Sequence, residues 1–451
     1  MTPARALLCG TLLLAGCAPS GEGVLVLEGA TLIDGSGGRP LEDAVIVVRD
    51  GRIEAVARVG EIRAPKGARV ELLVGKTIMP GLIDAHAHVE RWALPLYLAW
   101  GVTTVRDMGG GTSESTYTLQ RDLKLGAVIG PRMFTAGPMI DGAPATYRGA
   151  TEVATAEEAG RAVGQRAIAG ADYLKVYTKI TPGLLRALKE EASVLRLPIA
   201  AHLGRTDALT AARIGVASIE HLSGIVQAAA PGGAAVERAH DLFLAGWTAE
   251  EQAWTTLDSA TIARTARTLA QAGVAIVPTL VLYEMLSRLD DRTLLARPEM
   301  AELPAAGAGV RDVAGLVRRA GWRPVDFATF RAARRPQHLF VREFKRANGL
   351  VAAGSDATNQ LLVPGAALHD ELALLVDAGL ARLEAITAAT RHAARLLDAD
   401  SLGSVAVGKV ADLVILNANP ADDIAATRDI AAVVIRGQML RVDSLRATWR
   451  R

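Results

Sequence analysis

Thr77-Ile78-Met79-Pro80-Gly81-Leu82-Ile83-Asp84-Ala85-His86-Ala87-His88 is a short apolar run that closes on two histidines two positions apart. Side chains alternate between the faces of a strand, so His86 and His88 project from one side, with Asp84 on that side too. Seven further apolar runs follow: GVTTVRDM (101–108), RMFTAG (132–137), ADYLKVY (171–177), PIAAHLG (198–204), VASIEHL (216–222), VAIVPTL (274–280) and GLVAAGSD (349–356). Longer helical patterns separate them, which is how β/α units around a parallel sheet read. Eight such strands over about 280 residues predict an α/β chain built on a (β/α)8 TIM barrel.

Outward from the barrel the pattern changes. Residues 24–78 carry short alternating segments (VLVLEGATLID, AVIVVRDGRIEAVA, ARVELLVG) broken by Gly, Asp and Pro. Residues 399–451 return to them in VAVGKVADLVILNANP and AVVIRGQMLRVD. The expected organisation is a barrel over 79–398 and a small β-sandwich built from both terminal segments, since domain ends commonly lie close together.

The chain has 451 residues, half of them apolar and 22% charged, which excludes wholesale disorder. Fifty basic and 48 acidic side chains leave a net charge of +2, without the clustered basic excess of a nucleic-acid binder. The Arg run at 331–337 reads as a solvated face. The two cysteines, Cys9 and Cys17, lie near the N-terminus, so no disulfide framework supports the fold. Residues 1–17 read as a signal peptide: Arg5, a short apolar core too brief to span a bilayer, then small residues. Leu14-Ala15-Gly16-Cys17 resembles the lipobox of bacterial lipoproteins. That resemblance implies lipidation at Cys17, membrane attachment through an N-terminal anchor, and a location in the bacterial cell envelope facing the periplasm or on the outer membrane.

The polar residues at the strand ends carry the chemistry. His86 and His88 end the first strand, Lys175 the fourth, His202 the fifth, His221 the sixth and Asp356 the eighth. A lone histidine after a strand is more often structural. Six such groups at the C-terminal mouth of one barrel, where these folds place their active sites, predict a metal centre.

The motifs MPGLIDAHAH, GVTTVRD, DYLKVY, AHLG, SIEHL, GSDA and the tail LHDELALLVDAGL…AITAATRHAARLL together resemble the amidohydrolase superfamily, closest to its imidazolonepropionase-like and Xaa-Pro dipeptidase-like members. The resemblance spans about Val24 to Asp443. It implies two divalent metal ions, zinc by preference. His86, His88 and Asp356 would hold the deeper ion, and His202 and His221 the more exposed one. Lys175, carboxylated by carbon dioxide to a carbamate, would bridge them. Only a neutral amine can add carbon dioxide, and arginine cannot supply one. The chain has eight lysines against forty-two arginines, which makes a lysine at this strand end conspicuous. A metal-bridging hydroxide would attack the carbonyl, and Asp356 would carry the proton to the leaving nitrogen.

Further candidates are Tyr177 and His369 as substrate contacts and Asp84 as a residue orienting a ligand histidine. Lys179 reads as a solvent-facing loop residue, and His240, His338 and His392 as surface or structural imidazoles. The stretch GPMIDGAPATY (137–147) lacks the Gly-Gly-His signature many relatives carry there. Long insertions at 225–260 and 285–340, with Trp247, Trp254, Trp322, Phe327 and Phe330, suggest apolar-lined lids that set specificity.

The expected activity is hydrolysis of an amide or peptide-like C–N bond in a small molecule: an Xaa-Pro or other dipeptide, an N-acyl amino acid or a related compound. Two alternatives compete. A mononuclear deaminase or cyclic amide/imine hydrolase of the superfamily usually lacks the strand-four lysine and has a Glu soon after the fifth-strand His, where this chain reads Leu203-Gly204-Arg205. A non-enzymatic envelope-binding lipoprotein would be expected to lose metal ligands. The sequence is compatible with a homo-oligomer and predicts no nucleic-acid partner.

Overall fold

The computed structural model describes residues 23–110, 113–230 and 232–447; the signal segment and Cys17 lie outside them. The barrel is present as expected. Strands Leu82–Ala87, Val102–Asp107 and Arg132–Thr135 pair in parallel, as do Leu174–Val176, Ile199–Ala201, Ser218–Glu220 and Ala275–Val277. The eighth element, around 350–357, joins through isolated bridges, Ile276 to Val351 and Ala87 to Ala357. Donation from the Ala85 amide to the Ala353 carbonyl then closes the ring. All six residues of the first strand are buried, because one face lines the barrel interior and the other meets helices.

The third and fourth strands meet through Asp172, whose amide donates to the Thr135 carbonyl and whose carboxylate accepts from the Thr135 amide. Between them the chain makes a parallel pair absent from the expected strand list, Ile140–Gly142 with Thr151–Val153. It brings the loop carrying Tyr147 over the barrel mouth.

The terminal segments form one mixed sheet. Val24–Leu32 pairs with Leu41–Arg49 and Thr77–Pro80, and Thr77–Pro80 pairs antiparallel with Leu413–Leu416. Alternation along Val24–Leu32 serves two cores: Leu25 and Leu27 pack with Ile46, Leu413 and Ile415, whereas Val24 and Val26 pack with Val45 and Val47. Strand Thr77–Pro80 thus belongs to the terminal sheet, and the junction with the barrel falls at Gly81 rather than after residue 78. At the other end, helix Val442–Ala447 leaves the sheet to pack on barrel helix Leu94–Ala99.

Several polar residues sit differently from expectation. Lys179 is half-buried and donates to the Pro144 carbonyl at 2.7 Å, pinning the loop over the mouth. His240, by contrast, is a structural imidazole as expected, fully buried, 3.1 Å from Glu250 and packed against Gly204 and Gly246. The 331–337 run is only partly a solvated face. It lies within helix Pro324–Arg346, where Ala333 and Gln337 turn inward and Arg334 pairs with the buried Glu251. Of the insertion aromatics, Trp254 packs on Phe340 in the barrel core, and Phe327 and Phe330 pack on Trp322.

Candidate metal centre and active-site cavity

Five strand ends deliver His86, His88, Lys175, His202, His221 and Asp356 to the floor of one cavity of about 440 Å³. Asp356 Oδ1 lies 3.2 Å from Nε2 of both His86 and His88. Ligating atoms of His86, His221 and Asp356 all fall within 4.8 Å of one another. His86 Nε2, Lys175 Nζ, His202 Nε2 and Asp356 Oδ1 are buried without a hydrogen-bond partner. Four orphaned polar atoms in one place would be costly for a protein interior, and they suit a centre completed by cations.

The second nitrogens of three imidazoles are engaged. His86 Nδ1 is 2.6 Å from Glu220 Oε2, His88 Nδ1 meets the Gly109 carbonyl, and His221 Nδ1 is 2.7 Å from Thr279 Oγ1. An ionised carboxylate and a carbonyl can only accept, so His86 and His88 donate from Nδ1 and present an Nε2 lone pair inward. His221, Asp356 and Thr279 have φ of +57°, +57° and +44°. Left-handed backbone at three non-glycine residues of one site is strain of the kind held at functional positions.

Electrostatics favour ligating protonation states at His202, His221 and Asp356, whereas at His88 burial is outweighed by Asp356 and the Gly109 carbonyl, which raise the imidazole above the ordinary 6.5. Burial lowers the His202 and His221 imidazoles well below the ordinary 6.5, keeping them neutral. Burial lowers the Lys175 amine to about 8, although Glu220 and Asp356 pull it back up. Burial would raise the Asp356 carboxyl, but His221, His86 and His88 hold it well below the usual range.

Two supporting residues escaped sequence reasoning. Arg106 and Glu220, both at most 2% exposed, face each other inside the barrel with Arg106 Nη1 3.1 Å from Glu220 Oε1. Ser218 Oγ donates to the same oxygen at 2.5 Å and accepts from Arg106 Nη2 at 3.1 Å, and the guanidinium stacks 4.6 Å over Tyr173. Glu220 therefore locks the His86 ring and is itself locked by Arg106. The motifs GVTTVRD and SIEHL contained both residues, but nothing local to either links two positions 114 residues apart. Burial raises the Glu220 carboxyl, yet Arg106 and His86 overcome this and hold it at about 2 against an ordinary 4.5. A carboxyl depressed on folding contributes stability above its unfolded pKa and loses it as pH falls through the folded value. The stability difference between wild type and Glu220→Gln, followed by denaturant unfolding, should therefore shrink as pH drops from 4.5 toward 2. A difference independent of pH in that window would refute the pairing.

Asp84 accepts from the His86 amide at 3.3 Å and from the Ser355 amide and hydroxyl at 2.9 and 2.5 Å. It ties the first strand to the eighth rather than touching a ligand ring, and burial raises its carboxyl to about 6 against those hydrogen bonds. Tyr177 lines the cavity, edge-on to His202 at 4.7 Å. His369 does not reach it. Its Nδ1 is 2.9 Å from Thr427 Oγ1 and its Nε2 2.9 Å from the Trp100 carbonyl, so both nitrogens are spent joining helix Ala366–Asp377 to its neighbours. The expectation of a substrate contact there is corrected. His392 Nδ1 likewise meets a backbone carbonyl, that of Val351, at 3.1 Å.

A parallel barrel with its polar constellation at the strand C-termini has the layout of a barrel enzyme. The amidohydrolase family profile matches residues 77–440, and the chain belongs to that family, whose superfamily is metal-dependent. Among solved structures, it is similar to a putative prolidase from Bifidobacterium longum (27% identity, TM-score 0.71, 96% of this chain and all of that one). It shares its fold with a Xaa-Pro dipeptidase bearing bound methionine (21%, TM-score 0.67, 93% of this chain and all of that one). Bottromycin amidohydrolase also shares the fold (22%, TM-score 0.71, 93% of this chain and 87% of that one). No curated protein matches the sequence. The chain is thus an amidohydrolase acting on C–N bonds.

Proposed function

We propose that the protein is a two-metal hydrolase of amide or peptide-like bonds in small molecules, of the dipeptide or N-acyl amino acid type. The carrying observation is the set of orphaned atoms on His86, Lys175, His202 and Asp356. His86, His88 and Asp356 would hold one divalent ion, zinc by preference, His202 and His221 a second, and Lys175, carboxylated on Nζ, would join the two positions. When bound, the ions supply carbonyl polarisation and a water acidified toward neutral pH. Glu220 and Thr279 keep the rings of His86 and His221 in register. Asp356, held as a carboxylate, takes the proton from the attacking water and returns it to the leaving nitrogen. Water adds to the acyl carbon, the C–N bond breaks, and a carboxylate and an amine leave.

The test is metal analysis of purified protein with a hydrolysis screen over Xaa-Pro and other dipeptides and N-acyl amino acids. About two ions per chain with turnover in one class is expected. The compact His86, His221 and Asp356 group favours a second reading, a mononuclear hydrolase or deaminase, and a single ion per chain would select it.

We also propose, from the sequence of residues 1–17, that the protein is exported and lipid-anchored at Cys17 in the cell envelope. Cys17→Ser should move it from the membrane to the soluble fraction on cell fractionation. Retention at the membrane would dismiss the anchor.

A further inference from the structure

The cavity walls are as specific as its floor. Three rings pack around His202, Tyr177 at 4.7 Å, Phe243 at 5.8 Å and Trp247 at 6.4 Å, and Tyr147 makes a fourth ring of the wall, 5.3 Å from Tyr177 and 5.9 Å from Phe243. Leu282, Leu286, Leu316 and Trp322 continue the lining from Trp247 as one apolar cluster, and Trp322 Nε1 donates to Thr248 on the helix that carries Phe243 and Trp247. Helix Val313–Ala320 belongs to the second insertion, and its residues Leu316 and Arg319, three apart, share a face and both line the cavity. Arg319 is the one cationic side chain lining it outside the strand-end cluster, among the described residues.

Its visible partner is weak. Asp312 lies 3.4 Å away, both side chains are about half exposed, and Asp312 also caps the helix by accepting from the Gly315 amide at 2.9 Å. Such a pair exchanges readily for a better carboxylate. A cavity of about 440 Å³ also falls in the range of roughly 300–1,000 Å³ that encloses drug-sized ligands, which leaves much of it unfilled by a small dipeptide.

We propose that the substrate is an N-acyl amino acid with a flat, bulky acyl group and an apolar side chain. The acyl group lies on the four-ring wall, the side chain against Leu316 and Trp322, and the free carboxylate at Arg319. This rests on the hydrolase reading above and narrows it: C–N cleavage would release an aromatic or similarly bulky carboxylate and an apolar amino acid.

Calorimetry on the metal-loaded full chain with three sulfonamides, whose S–N bond mimics the amide without acyl cleavage, tests the pocket. N-Benzenesulfonyl-L-leucine should bind about tenfold more tightly than its primary amide, through the charge-assisted contact. It should also bind about tenfold more tightly than N-methanesulfonyl-L-leucine, through the buried ring. Arg319→Met should abolish the acid–amide difference, and Leu316→Asn, on the same half-exposed helix, should weaken all three. Equal binding of acid and amide by wild type, or a difference that survives in Arg319→Met, overturns the assignment. Parallel assays separate the two readings. The predicted binding pattern without turnover of N-benzoyl-L-leucine supports the pocket assignment and counts against the hydrolase reading. Turnover of Xaa-Pro dipeptides with no sulfonamide binding overturns the pocket assignment alone.

Discussion

On the two-metal reading proposed above, Lys175→Ala should lower bound metal from about two ions per chain to one or fewer, and kcat/KM by about a thousandfold or more, because it removes the group that would join the two positions. Lys175 is 1% exposed and its Nζ has no protein partner, so the substitution deletes no hydrogen bond within the fold. Fold stability of the metal-free protein should accordingly change little. Burial already lowers the amine to about 8, so the neutral form that can add carbon dioxide is accessible near neutral pH. Lys175→Arg is the sharper control. It preserves positive charge and length, but a guanidinium cannot be deprotonated or carboxylated, so it should fail as badly as alanine. Full metal content and turnover in Lys175→Arg would remove the bridging role.

The second large effect is on stability. Glu220→Ala leaves Arg106 charged, 2% exposed and stripped of its carboxylate, a loss of roughly 3–5 kcal/mol in unfolding free energy. Metal affinity should also fall, by about ten- to a hundredfold, because the ring of His86 loses its anchor. The double variant Arg106→Met/Glu220→Met separates the two consequences. With neither charge buried, stability should largely return, while metal affinity stays low because His86 remains unanchored. Urea denaturation of the metal-free chains and metal titration read the two effects apart. A change within about 0.5 kcal/mol in Glu220→Ala would mean that the pair carries no structural weight.

The contrast between these residues explains what could be read from the chain. His86, His88, Lys175, His202, His221 and Asp356 each stand at the end of a recognisable apolar run, and barrel topology carries strand ends to one mouth whatever the intervening helices do. Their convergence on one cavity follows from local pattern and one global rule. Arg106 and Glu220 meet across the barrel interior, a contact set by which strands face each other and invisible to local spacing. His369 shows the opposite failure. It follows the eighth strand closely, yet its helix turns it toward Trp100 and Thr427, and no periodicity records that rotation. The insertions behaved similarly: composition indicated apolar lids, but Trp247 and Trp322 line the cavity while Trp254 goes to the core.

The terminal sheet bears on how the chain reaches this state. Ile78 lies beside Ile415, more than three hundred residues later, so the strand leading into the barrel lacks that neighbour until nearly the whole polypeptide has emerged. Contacts of such sequence separation are slow to form and leave a strand edge exposed meanwhile. Helices and strands of the barrel can assemble from local neighbours, whereas the clasp of first and last segments comes late. A chain truncated before residue 413 would keep all six strand-end ligands and lose the closure that joins its beginning to its end.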